Sequence, residues 1–418
     1  MNKLRDDCFE TGGKRMPIGE ALELLKARLH PVVGKERVAL KAATGRVLAE
    51  TITSPRDVPP HDNAAVDGYA VRFDDLEKAG ETRLPLKGRI AAGHPLAQPV
   101  EGGAAYRIFT GAPVPEGLDT IFMQEDCTEE GDTVLLPPGI RKGANFRKRG
   151  EDIQKGDRIL EAGRRLQAPD IGLAASVGCV GLAVFKPLRV AVFSTGDEVT
   201  EPGEELGRGA IYDANRYMLM ALLEGLGAEV TDLGILPDEL ARIEAALKAA
   251  GQTHDLLFTS GGVSVGEEDH VRQAVARLGS LHFWQLAIKP GRPVALGRVG
   301  ETPFIGLPGN PVAVAVTFLR FARQAVLRLA GAEDVEPVRY RVKAGFEMKK
   351  KSGRLEWVRC KLARDKEGAL IAERFPREGS GILASVVGTD GLVELAEDVT
   401  KVEPGMAVDF LPYREVMP

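Results

Sequence analysis

The segment Thr259-Ser260-Gly261-Gly262-Val263-Ser264-Val265-Gly266-Glu267-Glu268-Asp269-His270 concentrates the residue types of phosphate chemistry. It follows the run Asp255-Leu256-Leu257-Phe258, which reads as a buried strand, and leads into helix-like apolar spacing from 271 to 278. A glycine turn between a strand and a helix lets backbone N–H groups and a helix N-terminus face an anion. Carboxylates at the same turn make sense where a divalent cation joins them to that anion. This loop points to an enzyme.

Further candidates share that logic. Asp197 and Glu198 follow the strand-like Val192-Phe193-Ser194, and read either as a polar turn capping a helix or as metal or acid–base groups. Asp238, in Pro237-Asp238-Glu239, is equally a helix N-cap and a candidate carboxylate. Lys289-Pro290-Gly291-Arg292-Pro293 holds two cations on a turn stiffened by prolines. Such a turn loses little entropy on clamping an oxyanion, though solvated charge is the default reading. Asp67, between small residues in Asn63-Ala64-Ala65-Val66-Asp67-Gly68, allows close approach of a ligand or a second subunit, or simply caps a compact turn. Residues 141–149 carry five basic residues, and Asp152 just beyond them is either a loop cap or a reaching carboxylate. The six histidines show no ligand spacing, and neither a P-loop nor a Gly-x-Ser-x-Gly elbow occurs.

The elements that must position these residues follow from periodicity. Residues 17–30 read as a helix entered at Pro17, and residues 61–140 as short strands between Gly/Pro turns. From 187 to 330, strands at 189–193, 229–233, 255–258 and 304–306 alternate with helices at 215–226, 239–249, 269–278 and 311–329. That alternation predicts a doubly wound, mainly parallel α/β sheet, in which ligands sit beyond the strand C-terminal ends. Four candidate loops fall there: 194–198, 237–238, 260–262 and 307–311. Residues 331–418 alternate as a small β-barrel-like domain. The expected organisation is therefore an N-terminal linker domain (17–60 and 141–186), an inserted β-rich domain (61–140), the α/β domain (187–330) and a C-terminal β domain (331–418).

Composition bounds the function. At 418 residues the chain exceeds one core, so several domains are expected. A net charge of −5 and only 6% aromatics argue against nucleic-acid binding, so an anionic ligand must meet local positive charge. No apolar run approaches the roughly 20 residues of a membrane span. The N-terminus has no signal-peptide core, and the four cysteines are scattered, which together predict a cytoplasmic protein.

Read together and in order, several motifs resemble the molybdopterin molybdenumtransferases, a family that includes the C-terminal domain of gephyrin. The motifs are residues 62–70, Thr110-Gly111-Ala112-Pro113-Val114-Pro115, Arg149-Gly150-Glu151-Asp152-Ile153, 194–198, 260–269, 289–293 and Leu307-Pro308-Gly309-Asn310-Pro311. The resemblance implies insertion of molybdate into adenylylated molybdopterin, with magnesium and release of AMP. It implies a homodimer with a shared cleft and, as further partners, the molybdopterin adenylyltransferase and recipient molybdoenzymes. By matching position, it implies functional carboxylates at Asp67, Asp152, Glu198, Asp238 and Asp269, of which Glu198, Asp238 and Asp269 would hold the metal. The substrate-binding set it implies is Thr110, Gly111, Ser260, Gly261, Gly262, Ser264, Lys289, Arg292, Pro308, Gly309, Asn310, Arg359 and Ser380. Three positions depart from the pattern: Arg292 stands where the family often has lysine, and His61 and Val66 replace a usual aromatic and a usual methionine. A gephyrin-like scaffold without turnover and a molybdopterin adenylyltransferase are the alternatives.

Overall fold

A computed structural model describes residues 15–262, 270–333 and 335–417. Ser264 and Asp269, both expected in the site, lie outside the described residues.

Six strands form the central sheet, in the order Glu229–Leu236, Arg189–Thr195, Leu256–Ser260, Thr302–Leu307, Pro293–Val299 and Gly279–Gln285. The first four run parallel; Pro293–Val299 pairs antiparallel to the fourth, and Gly279–Gln285 antiparallel to Pro293–Val299. Arg189–Thr195 is buried along almost its whole length because both faces are covered. Val190 and Val192 pack into one apolar cluster with Leu219 and Leu223 of the helix Ala214–Gly225. Ala191 and Phe193 pack into another with Ile243 and Leu247 of the helix Leu240–Thr253. Successive helices thus lie on opposite faces, and the strand order reverses between Arg189–Thr195 and Leu256–Ser260. That is the crevice where doubly wound sheets take ligands.

Two features differ from the sequence expectation. The sheet gains an antiparallel hairpin, Gly279–Gln285 with Pro293–Val299, whose tip is the basic turn at 289–293. The expected single helix at 311–329 is two α-helical segments, Pro311–Thr317 and Arg323–Leu329, flanking a π-helical turn at Phe318–Ala322. This stretch is buried on nearly every side, so apolar spacing cannot register one inserted residue.

The C-terminal region closes into a five-stranded barrel of Leu355–Arg364, Leu370–Arg374, Tyr340–Ala344, Ala407–Pro412 and Gly391–Leu395, the last pairing back onto the first. The short strand Ile288–Lys289 joins it, parallel to Leu355–Arg364, and so couples the hairpin tip of the α/β sheet to the barrel. Towards the N-terminus, six strands between Gly68 and Leu136 form a separate sheet. The flanking chain pairs with itself, Lys35–Ala39 with Gly181–Phe185 and Ile52–Thr53 with Arg158–Leu160. Among the described residues no helix is long and apolar enough to cross a membrane.

Candidate functional site

Strand register explains how separate loops converge. Leu236 lies beside Thr195, Ser260 beside Ser194, and Leu307 beside Ser260, so the loops after all four parallel strands leave one edge of the sheet. The antiparallel pairing of Ala295 with Gly306 brings the 289–293 tip to the same edge. A cavity of about 670 Å³ opens there, between the sheet edge and the barrel.

Glu198 is at the acidic wall. No helix follows it, which removes the helix-capping reading of Asp197 and Glu198: the chain continues into the short strand Val199–Thr200, and the next helix is capped by Asp213. A Cβ at Gly196 would lie 2.6 Å from Glu198 Oε2, and the φ of Gly196 is 133°, so only glycine lets the carboxylate fold back over the turn. Gly261 and Gly262 line the cavity beside it, and Ser260 is buried at the strand end. Gly262 has φ 60°, and its missing side chain leaves room for Thr195 Oγ1 at 2.6 Å from the Cβ position.

The rest of the lining is mainly cationic. Lys289, Arg292, Arg359, Arg374 and Arg377 belong to it, against three lining carboxylates, Glu198, Glu356 and Glu378, so the balance favours an anion. Lys289 Nζ donates to Glu356 Oε2 at 3.3 Å, because Lys289 and Glu356 are register partners where hairpin and barrel meet. Arg354 donates twice to the other oxygen of this buried carboxylate, at 2.9 and 2.6 Å. At Gly291 a Cβ would meet Thr317 Oγ1 at 2.1 Å, so the turn packs directly on the helix behind it. Arg359 is half-buried, and burial lowers its pKa. Its Nε is buried without a hydrogen-bond partner among the described residues. Ser380 lines the cavity, and its carbonyl accepts from the Val312 N–H at 2.9 Å, which clips the barrel loop to the start of the helix after Pro308-Gly309-Asn310. Those three residues also line the cavity, and Asn215 Nδ2 donates to the Gly309 carbonyl at 2.7 Å.

Other expected site residues lie elsewhere. Asp238 does not line this cavity and does not cap its helix: the N-cap is Glu239, without a side-chain bond. Instead, His270 Nδ1 lies 2.8 Å from the Asp238 carbonyl and 3.2 Å from Oδ1. Asp67, Thr110, Gly111 and Asp152 are also absent from the cavity lining. Asp67 Oδ1 accepts from both the N–H and the hydroxyl of Thr110, each at 2.7 Å. These two bonds, that to the N–H first, lower the Asp67 pKa from the ordinary 3.8. A carboxylate lowered in this way stabilises the fold above its unfolded-state pKa and loses that effect as pH falls through the folded value. Thr110→Ala is therefore expected to move the Asp67 titration midpoint upwards, read by carboxyl-carbon NMR; an unmoved midpoint contradicts the assignment. Asp152 is exposed, with its N–H on the Val58 carbonyl at 3.0 Å.

Sequence reasoning missed Glu356, Trp357, Arg374, Phe375, Arg377 and Glu378. Arg374-Phe375-Pro376-Arg377 carried part of the signal of 289–293, two cations around a proline, and could have been found. Glu356 could not, since only the hairpin–barrel pairing brings it to Lys289.

Comparison with known proteins gives this geometry its context. Residues 16–178 match the MoeA N-terminal region (domain I and II), 191–328 a probable molybdopterin binding domain, and 341–413 the MoeA C-terminal region (domain IV). A molybdopterin molybdenumtransferase of Haemophilus influenzae is 38% identical over 91% of this chain and 95% of its own. The chain belongs to the molybdopterin molybdenumtransferase family. Another enzyme of that name, from Nostoc sp., is 37% identical over 75% of this chain and 74% of its own. The crystal structure of a molybdopterin biosynthesis MoeA protein from Pyrococcus horikoshii OT3 superposes with a TM-score of 0.81 at 30% identity, covering 96% of this chain and 100% of that one. The family's multidomain fold, with its α/β domain and C-terminal barrel, is the one expected from the sequence.

The family implies magnesium, and the donor set can be tested for it. Carboxylate oxygens suit Mg²⁺, and Glu198 presents one in the cavity next to the glycine turn. Among the described residues no group of three His, Cys, Asp or Glu converges, so the described donors alone make a partial site.

Proposed function

We propose that this protein is a molybdopterin molybdenumtransferase that inserts molybdate into adenylylated molybdopterin with Mg²⁺-dependent release of AMP. One observation carries the reading: a single cavity has a carboxylate and a glycine turn at the sheet edge, with five cations and two further carboxylates in the rest of its lining. The relatives named for this activity support it. Glu198, with Asp269, would hold Mg²⁺, and Asp238, outside the cavity lining, would have to leave His270 to join them. The ion, when bound, neutralises the pyrophosphate and favours its cleavage. Gly261 and Gly262 allow close approach of phosphate to backbone N–H groups. Lys289, Arg292 and Arg359 hold the oxyanion, and the buried, unpartnered Nε of Arg359 is a donor ready for it. Because these groups surround one cavity, the oxyanion and the pterin sulfurs would meet by proximity, without a protein nucleophile.

Asp67, Thr110 and Asp152 are part of this reading through a homodimer. All three lie outside this chain's own cavity, and Thr110 and Asp152 are exposed, which fits a contribution to a partner subunit's cleft. The barrel favours the transferase over the adenylyltransferase, since Arg359 and Ser380 come from outside the α/β domain.

The test is AMP release by the purified protein from adenylylated molybdopterin, with molybdate and Mg²⁺ each omitted in turn. Dependence on both is expected. Release independent of molybdate, or product formed only from molybdopterin and ATP, overturns the reading. Lys289→Ala is expected to raise the molybdate KM about tenfold or more, in line with the ~1.5–3 kcal/mol of a hydrogen bond to a charged group. Pterin affinity should change less; equal effects on both ligands contradict the role given to Lys289.

A further inference from the structure

A second cavity, of about 290 Å³, adjoins the main one at Ile288 and Arg292. Its charged lining is Arg15, Arg292, Lys351 and Arg354, with no carboxylate. Ile288 and Arg292 line both cavities, so the two share a wall. We propose that this smaller cavity binds a small inorganic oxyanion and supplies it to the main cavity through Arg292.

The walls are built. Three chain segments are stitched together around the cavity: the Met16 N–H donates to the Gln285 carbonyl at 2.9 Å, the Ala287 N–H to the Met16 carbonyl at 2.7 Å, and the Leu355 N–H to the Ala287 carbonyl at 2.9 Å. From beneath, the largely buried Lys350 donates to the Arg354 carbonyl at 3.0 Å, which fixes the loop carrying Lys351. Arg354 is held in place by its fork onto Glu356. Arg15, Arg292 and Lys351 have no carboxylate within ion-pair distance among the described residues. Cations carried on a stitched frame, three of the four without a counter-ion among the described residues, raise the local concentration of an anion. The volume sits at the lower edge of the roughly 300–1,000 Å³ of organic-ligand clefts, which excludes an adenylylated pterin and admits a tetrahedral oxyanion.

This inference deepens the transferase reading and rests on it for the kinetic readout alone. The experiment uses the full chain and its double variant Arg15→Ala/Lys351→Ala, both sites being exposed and outside the main cavity. Equilibrium dialysis with labelled molybdate is expected to find two bound oxyanions per wild-type subunit and one in the variant. Initial rates of AMP release should show a severalfold higher molybdate KM with unchanged kcat. Equal stoichiometry and equal KM in the two proteins overturn the proposal. So does a variant that loses AMP or phosphate binding while keeping both molybdates. Absence of AMP release from the wild type would remove the transferase reading, and the dialysis would still decide whether the second cavity binds the oxyanion.

Discussion

Glu198→Gln is expected to lower turnover roughly 10²-fold or more while leaving the unfolding midpoint unchanged, the scale of losing one preorganised charge contact in a reaction centre. Glutamine keeps the length and shape that fold back over Gly196, so the turn has no reason to rearrange. The charge is what is lost. Glu198 is the carboxylate on the sheet side of the cavity, beside the glycine turn, whereas Glu356 is already engaged by Lys289 and Arg354, and Glu378 pairs with Arg374. A second effect separates this from a general weakening: the Mg²⁺ concentration needed for half-maximal rate should rise. Turnover within twofold of wild type, with an unchanged Mg²⁺ requirement, would remove Glu198 from the mechanism.

Glu394→Ala should have the largest effect on stability, about 3–5 kcal/mol, the usual consequence of removing one partner of a buried ion pair. Glu394, on the barrel strand Gly391–Leu395, accepts from Arg320 Nε at 2.7 Å and from Trp357 Nε1 at 2.6 Å, and also from Arg339. Arg320 belongs to the π-helical turn and is only 2% exposed, so alanine would leave a guanidinium buried without its main counter-ion. Burial alone would raise the Glu394 pKa, but Arg320 and Arg339 outweigh it and hold it below the ordinary 4.5. Its contribution is therefore present above the unfolded-state pKa and fades as pH falls through the folded value. Denaturant unfolding at neutral pH checks the magnitude. Because the chain has two tryptophans, Trp284 and Trp357, and Trp357 lines the cavity, a shift in emission should accompany the loss. An unchanged midpoint in the alanine variant would show that the junction between helix and barrel does not depend on this charge.

Much of this architecture was legible in the linear chain. Val192-Phe193-Ser194 and Asp255-Leu256-Leu257-Phe258 announced buried parallel strands because a strand covered on both faces leaves no polar alternation. Gly196, Gly261 and Gly262 marked the turns because those positions need positive φ or empty space. Lys289 and Arg292 stood out because each immediately precedes a proline, which restricts the backbone of the turn that carries them. Such signals depend on a residue and its near neighbours, and near neighbours are what a sequence displays.

What the tertiary structure alone decided was pairing across distance. Nothing local in the hairpin indicates that Ile288–Lys289 would pair with a barrel strand, yet that register brings Glu356 to Lys289. Asp238, as good an N-cap as a ligand on paper, turns to His270 instead. Asp67 turns to Thr110, 43 residues away. The physical reason is common to these cases. A side chain's propensity follows from its own chemistry, but its partner is set by where closure of the sheet and barrel brings other backbone, and that closure is an energy summed over the whole chain.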